Sequence, residues 1–466
     1  MNGKKVMALL IAGAMLIQAA PAQTFAAPQN VRTEKEKEES YMDGANGFAF
    51  RLTDELLSAK KSGENLLVSP YSVWLPLAAL VNGSDEAAKK EMLNVLGAGK
   101  LSAEELNQMA GALNLLLLQE ERRAMYEEAG ETYEGPLKIA NAMFVSRDGK
   151  VNESFAKQFE TVFGGKLFDV DFADASAVNE VNRWAKEQTE GKIDKVIDSF
   201  DPATSAAIAN ALYFSDSWAN QFMKENNTDG VFYGAKGDEH AVFMNQKLKH
   251  AAYYEDGRMQ AVVLNTIKGG EMVLFLPKPG ISPEEALKSL DAKKLQKIEQ
   301  AEERCVQLSL PGFRMESEPF SLKEALEALG VPLTDERACH LTGLMEGEAL
   351  YLSEALQKAM IEVDEDGLTA AAVTVMGIER MALLPETEPV ALTFDRPFGF
   401  VLTGDAGQAG QQVLFAGVVN TLETAEIFTA FRSFSLPIYA VSFFFCRLFA
   451  AFSYFCLPSS SMCSSP

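Results

Sequence analysis

The chain has 466 residues, of which 47% are hydrophobic and 23% charged, a balance that buries a large core and excludes disordered, collagen-like and coiled-coil classes. With 42 Lys and Arg against 65 Asp and Glu, its net charge of -23 repels phosphate backbones and anionic lipid, so nucleic acid is not an expected partner. Five cysteines, three of them (Cys446, Cys456 and Cys463) near the C-terminus, leave the body without a disulfide scaffold.

In chain order, Lys4 and Lys5 precede an apolar run over 6–17, and Ala20-Pro21-Ala22 supplies small residues for cleavage. Residues 1–22 therefore read as a secretory signal peptide of bacterial type, and the protein is expected to be secreted and extracellular. Residues 23–45, with Glu34-Lys-Glu-Lys-Glu-Glu39 at their heart, read as a flexible charged leader. From 46 to 422 there is no repeat, low-complexity linker or charge block, which points to one domain.

Within it, Ser102-x-x-Glu105 and Ser282-Pro283-x-Glu285 are capping boxes that start helices. Met272 to Leu276 is a continuous apolar run, the pattern of a fully buried strand. Val306, Leu308 and Leu310 alternate with Gln307 and Ser309, the pattern of a half-buried one. The fold class is α+β, with mixed sheets and surrounding helices. Residues 423–466 are a Phe/Ser/Cys-rich hydrophobic tail, and from 427 onward it holds no Asp, Glu or Lys. It reads either as a shifted reading frame or as a membrane anchor, against which Arg447 stands at the centre of the apolar run. Membrane contact is expected only in the second case.

Enzyme chemistry finds little support. The three histidines, His240, His250 and His340, have no zinc-type spacing, so no metal and no cofactor is expected. Gly97-Ala98-Gly99-Lys100 resembles a phosphate loop, but Leu101 occupies the magnesium-binding Ser/Thr position and the motif's first glycine is missing; it reads as a turn. No Gly-x-Ser-x-Gly elbow occurs, and Cys305 has no histidine partner. No catalytic residue is assigned.

The most informative segment is Glu365 to Phe398. Under strand alternation Leu368, Ala370, Ala372, Thr374, Met376 and Ile378 share one face, so the segment can enter a sheet without burying a charge. Taken alone, it reads first as an ordinary edge strand leading into a loop.

This segment resembles the hinge and reactive loop of the serpins, with Glu365, Gly367, Ala370, Ala371, Ala372 and Thr374 on the family pattern. The resemblance spans 46–422 and includes Asn65-Leu-Leu-Val-Ser69-Pro70-Tyr-Ser72, Asn141-Ala-Met-Phe, Asn182-Arg-Trp184, Asn210-Ala-Leu-Tyr-Phe with Trp218, Leu310-Pro-Gly-Phe313, Asp395-Arg-Pro-Phe398 and Leu414-Phe-Ala-Gly417.

It implies a monomeric inhibitor of serine proteases that is cleaved in its loop, traps the acyl-enzyme and inserts the loop as a new strand. A non-inhibitory carrier or chaperone-like binder is the alternative. Family spacing puts the reactive bond between Met381 and Ala382, suiting elastase-like or subtilisin-like targets; Arg380 is the rival and would suit trypsin-like ones. Ser69, Ser72 and Asn210 match the polar cluster where the sheet parts, and Trp218 the tryptophan where insertion begins. Two positions depart from the pattern. Gln357 replaces a histidine and cannot titrate, and Leu368 stands where inhibitory members carry threonine or another small residue. Burial of Leu368, Met376 and Ile378 is expected to help drive insertion.

Overall fold

The computed structural model describes residues 34–147, 150–188, 191, 195–201, 204, 206–317, 320–368 and 388–422. The stretch 1–22, read above as a signal peptide, and the tail from 423 lie outside the described residues. The leader does so only in part, since a helix runs over Glu34–Ala59. The flexible reading thus gives way to helix from Glu34: Glu and Lys are strong helix formers, and the segment continues without a break into turns anchored by the buried Phe48 and Leu52.

The strands, in chain order, are β1 (Leu66–Val68), β2 (Leu137–Ser146), β3 (Gly165–Val170), β4 (Ala206–Phe214), β5 (Asp216–Ser217), β6 (Thr228–Gly234), β7 (Gly237–Glu255), β8 (Met259–Asn265) and β9 (Glu271–Pro277). They continue as β10 (Glu303–Pro311), β11 (Phe313–Glu316), β12 (Phe320–Ser321), β13 (Leu341–Met345), β14 (Glu348–Leu350), β15 (Glu354–Lys358), β16 (Met360–Val363) and β17 (Gly367–Leu368). After the loop come β18 (Val390–Thr393), β19 (Phe398–Asp405) and β20 (Gln411–Val419).

One sheet runs β1-β20-β19-β9-β8-β7-β10-β18, with β6 paired to β7. A second runs β12-β15-β4-β2-β3, and beyond its upper end lies the order β11-β16-β17-β5. This is the expected α+β architecture. Met272 to Leu276 is buried throughout, and Val306, Leu308 and Leu310 face the core as their alternation requires. Both capping boxes form: the Ser102 and Ser282 hydroxyls accept from the Glu105 and Glu285 amides.

The helix Pro70–Leu80 is buried along its whole length. It packs beneath the second sheet and the first, which explains why it carries apolar residues all round. The opposite face of the second sheet is covered by the helix Ala175–Gln188, where Trp184 and Val181 meet Phe144, Ala207, Ala209 and Leu356 in a separate small core. The Gly97 to Lys100 segment is a turn, and its first glycine is required. Gly97 has φ +74, and a Cβ there would lie 2.4 Å from the Gly44 carbonyl oxygen.

Asn65 closes the domain. Its side chain donates to the Thr421 carbonyl and accepts from the amides of Asn420 and Thr421, tying the strand before the buried helix to the last described turn.

One half-buried carboxyl is a liability. Burial pushes Glu299 up to about 8 from 4.5, with repulsion from Glu271 adding to it. The folded chain then holds this proton more tightly than the unfolded chain, so the associated stability is whole below about pH 4.5 and is lost as pH rises to about 8. Glu299→Gln should raise the thermal midpoint by a few degrees at pH 8 and leave it nearly unchanged at pH 4.5. Equal shifts at both pH values would show that the carboxyl is not the cause.

Candidate functional site: a sheet zipped below and parted above

Two central strands of the second sheet, β15 and β4, run parallel and pair directly from Glu354↔Ala207 to Lys358↔Ala211, with Gln357 opposite Asn210. Directly beneath, Ser69 begins the buried helix. Local rules make its hydroxyl a helix cap, but no side-chain cap bond forms; the hydroxyl donates instead to the Leu414 carbonyl at 2.8 Å. The cap position is thereby spent on joining the helix to β20.

Gln357 is buried and fully used. Its Nε2 donates to the Ser69 carbonyl at 2.8 Å and to the Ser72 hydroxyl at 2.7 Å, while its Oε1 accepts from the Ser69 amide at 3.0 Å. The Ser72 hydroxyl in turn donates to the Ser69 carbonyl. An amide thus supplies one acceptor and two donors at once, which a neutral imidazole, with one of each, does not. Asn210 lies across the seam and donates to Asn141, which donates to the Phe163 carbonyl at 3.0 Å. Ser69, Ser72, Asn210 and Gln357 are therefore brought together in one polar row under the seam. Asn141 belongs to it as well. It sits in the Asn141-Ala-Met-Phe motif, and the alternation of β2 against Asn210 was the signal that could have placed it there.

Above this seam the strands diverge. β17 lies between β16 and β5, with Leu368 opposite both Val363 and Asp216 and Gly367 opposite Ser217. Leu368 is completely buried. Gly367 has no alternative, because a Cβ would stand 2.2 Å from the Asp216 carbonyl oxygen and 2.7 Å from Ser217 Cα. The hinge thus already occupies the top of the gap as a two-residue strand. Leu368 is seated, where the sequence pattern had it waiting outside.

Trp218 fixes the turn that feeds this strand. Its indole N–H donates to the Asp364 carbonyl at 2.9 Å and its amide to the Asp366 carbonyl at 3.1 Å. Glu365 accepts from the Asn227 side chain at 2.6 Å. Asp364 accepts from the amides of Asp366 and Gly367. Burial pushes its carboxyl above the ordinary value; those two amides oppose the shift, and the charges of Asp366 and Glu362 add to it. Ala370, Ala371, Ala372, Thr374, Arg380, Met381 and Ala382 lie outside the described residues.

The serpin (serine protease inhibitor) family profile matches residues 43–422. The chain belongs to the serpin family. It is 30% identical over 388 residues to Antichymotrypsin-2 of Bombyx mori, covering 81% of this chain and 97% of the relative. To human neuroserpin it is 30% identical over 389 residues, covering 79% and 88%. The native-state crystal structure of a thermophilic serpin, Tengpin, matches with a TM-score of 0.69 at 26% identity, over 87% of this chain and 98% of that one. Thyroxine-binding globulin, solved with thyroxine, matches at 23% identity with a TM-score of 0.66 over 82% and 99%, a likeness of fold. Serpins are generally protease inhibitors and not enzymes, and they target serine proteases.

The polar row can be tested by truncation. Gln357→Ala would take the Gln357 Oε1 acceptor from the buried Ser69 amide, at about 1–3 kcal/mol, and remove one of two partners from the Ser69 carbonyl and the Ser72 hydroxyl, which keep their bond to each other. The denaturation midpoint should fall by an amount matching at least about 2 kcal/mol. A loss under about 0.5 kcal/mol would show that Gln357 does not fasten β15 to the helix below.

Proposed function

We propose that this serpin is a secreted inhibitor of serine proteases. The protease cleaves its loop, is held as an acyl-enzyme and is carried away as the freed loop inserts between β15 and β4. The observation that supports this most is β17. A strand that has begun to part the sheet, above a seam that is still closed, has a defined direction in which to continue.

Insertion must break the five β15–β4 residue pairs and separate Gln357 from Asn210 by a strand's width on each side, roughly 10 Å in all. Twelve inserted residues move the attached end roughly 40 Å at ~3.3 Å per residue. The helix Ala175–Gln188 covers the face of this sheet opposite the polar row and must lift or slide to let the strand pass. Residues 1–22 would direct export, and the reactive bond would be Met381–Ala382.

The hinge alanines give the decisive variant. Ala372→Arg would carry an unpaired charge into a closed sheet. The unmodified chain should form SDS-resistant complexes with at least one enzyme of a trypsin-, elastase-, chymotrypsin- and subtilisin-like panel, and the variant should be cleaved as a substrate instead. Trapping by the variant at unchanged stoichiometry would sink the insertion mechanism; no trapping by the unmodified chain would favour a carrier or binder.

The bond itself is read by mass spectrometry of the C-terminal fragment released from the complex. A fragment beginning at Ala382 is expected, pointing to elastase-like or subtilisin-like targets. One beginning at Met381 would move the reactive residue to Arg380 and the target to trypsin-like enzymes.

A further inference from the structure

Between β4 and β5 the chain changes partners. Up to Ala211 it pairs directly with β15; from Asp216 it faces β17 instead, with Leu368 opposite Asp216 and Gly367 opposite Ser217. The two neighbours of β17, β16 and β5, therefore stand roughly 10 Å apart, twice the spacing of directly paired strands. A two-residue strand is a small wedge for such a gap, and the far side of β5 shows what backs it.

There β5 lies against the turn between β8 and β9. The Ile267 amide donates to the Ser217 carbonyl at 3.0 Å, the Ala219 amide donates to the Asn265 carbonyl at 2.8 Å, and Trp218 pairs with Thr266. The Asp216 side chain adds the charged contact. The residue is only 4% exposed, and its Oδ1 accepts from the Ser217 amide at 2.9 Å while its Oδ2 accepts from the Lys268 amide at 2.7 Å. Hydrogen bonds to a carboxylate are among the strong ones. Lys268 does not answer this charge with its ammonium group, which donates to the Glu134 carbonyl at 2.9 Å. The turn is also held from its other side, where the Gln119 side chain donates to the Lys268 carbonyl at 2.6 Å. Asp216 thus grips a turn that is itself fixed.

We infer that Asp216 is a positioning residue for loop insertion: by holding the Lys268 amide, its carboxylate draws β5 away from β16 and keeps the mouth of the sheet at the width of one strand. The inference rests on the inhibitory reading above and names the side chain that readies the sheet for it. After the loop is cleaved, insertion competes with hydrolysis of the acyl-enzyme. A mouth held open and already occupied lets the next hinge residues pair at once, whereas a mouth that closes or wanders gives the enzyme time to escape. Asp216 acts on that competition and not on cleavage, because it is buried beneath the hinge and out of a protease's reach.

The test uses the full chain, a panel protease that it traps, and the variant Asp216→Asn. The carboxamide keeps the shape but accepts from only one of the two amides and turns its own NH2 toward the other. Amide hydrogen exchange in peptides spanning Glu362 to Leu368 should become faster, with peptides from β4 and β15 unchanged. The ratio of chain cleaved to chain trapped should rise about tenfold, the kinetic equivalent of one lost hydrogen bond to a charged group, while the rate of acylation stays the same. A general loss of stability would instead speed exchange in the seam as well. Gln119→Asn keeps the test open should the first variant not fold. Asparagine tolerates the φ of +54 found there, and its shorter side chain withdraws from the Lys268 carbonyl, so both readings should move in the same direction. Unchanged exchange in the hinge, or faster exchange with an unchanged ratio, overturns the role of Asp216 and leaves inhibition standing. An unmodified chain that traps no enzyme overturns the inhibitory reading and the kinetic role with it, and hinge exchange then still decides whether the clamp seats β17.

Discussion

The direct parallel contact between β15 and β4 is the constraint on which the rest of this structure depends. Five residue pairs hold it, above a buried row of amides and hydroxyls that fastens β15 to Ser69 and Ser72. Parallel pairing is the slightly weaker kind per residue, and in the row beneath it Gln357 is fully satisfied by Ser69 and Ser72 at the start of the helix below, whereas the buried Asn210 Oδ1 has no hydrogen-bond partner. The seam is consequently fastened downward to the helix Pro70–Leu80 more than sideways across itself. Such a contact closes the sheet while leaving its two halves separable, since the hydrogen bonds from Gln357 to Ser69 and Ser72 do not cross the line of parting.

Much of this was legible because short-range rules governed it. Capping boxes at Ser102 and Ser282, the alternation through Val306 and Leu310 and the unbroken run at Met272 each follow from one element's own chemistry. The family segments added long-range order, placing Ser69, Ser72, Asn210, Gln357 and Trp218 in one region. What failed were positions whose neighbours come from distant strands. Ser69 has a cap residue's sequence and no cap bond, because Leu414, 345 residues away, offers its hydroxyl a buried acceptor. The charged leader continues as helix because the buried turns that follow set its path, a tertiary effect that composition does not contain.

The departure at Gln357 shows the difference between a residue type and its satisfaction. Histidine and glutamine both donate and accept, but this site needs two donors and an acceptor in a dry setting, where each missing partner is costly. Glutamine meets that count without gaining or losing a proton. The seam's fastening is therefore insensitive to pH across the range in which an imidazole titrates, and acidity acts on carboxyls away from it, Asp364 in the hinge turn and Glu299 beside the first sheet.

Leu368 changes the account of where the insertion energy would come from. A bulky first hinge residue is an obstacle if it must pass from solvent into a packed sheet, and a source of driving force of about 1.5–3 kcal/mol if its burial occurs during insertion. Neither applies here. Leu368 is already buried between Val363 and Asp216 before any cleavage, so its burial is common to the starting and final states and cancels from their difference, as only differential interactions shift an equilibrium. The expected contribution of Leu368 to the driving force is thus withdrawn, and the leucine instead fixes the register in which the strand begins. In the proposed mechanism, alternation counted from Leu368 assigns every following side chain to a face, and a slip of one residue would reverse them all. The free energy of insertion must then come from residues beyond 368 and from the hydrogen bonds of a strand paired on both sides, with Leu368 as the fixed point from which that strand extends.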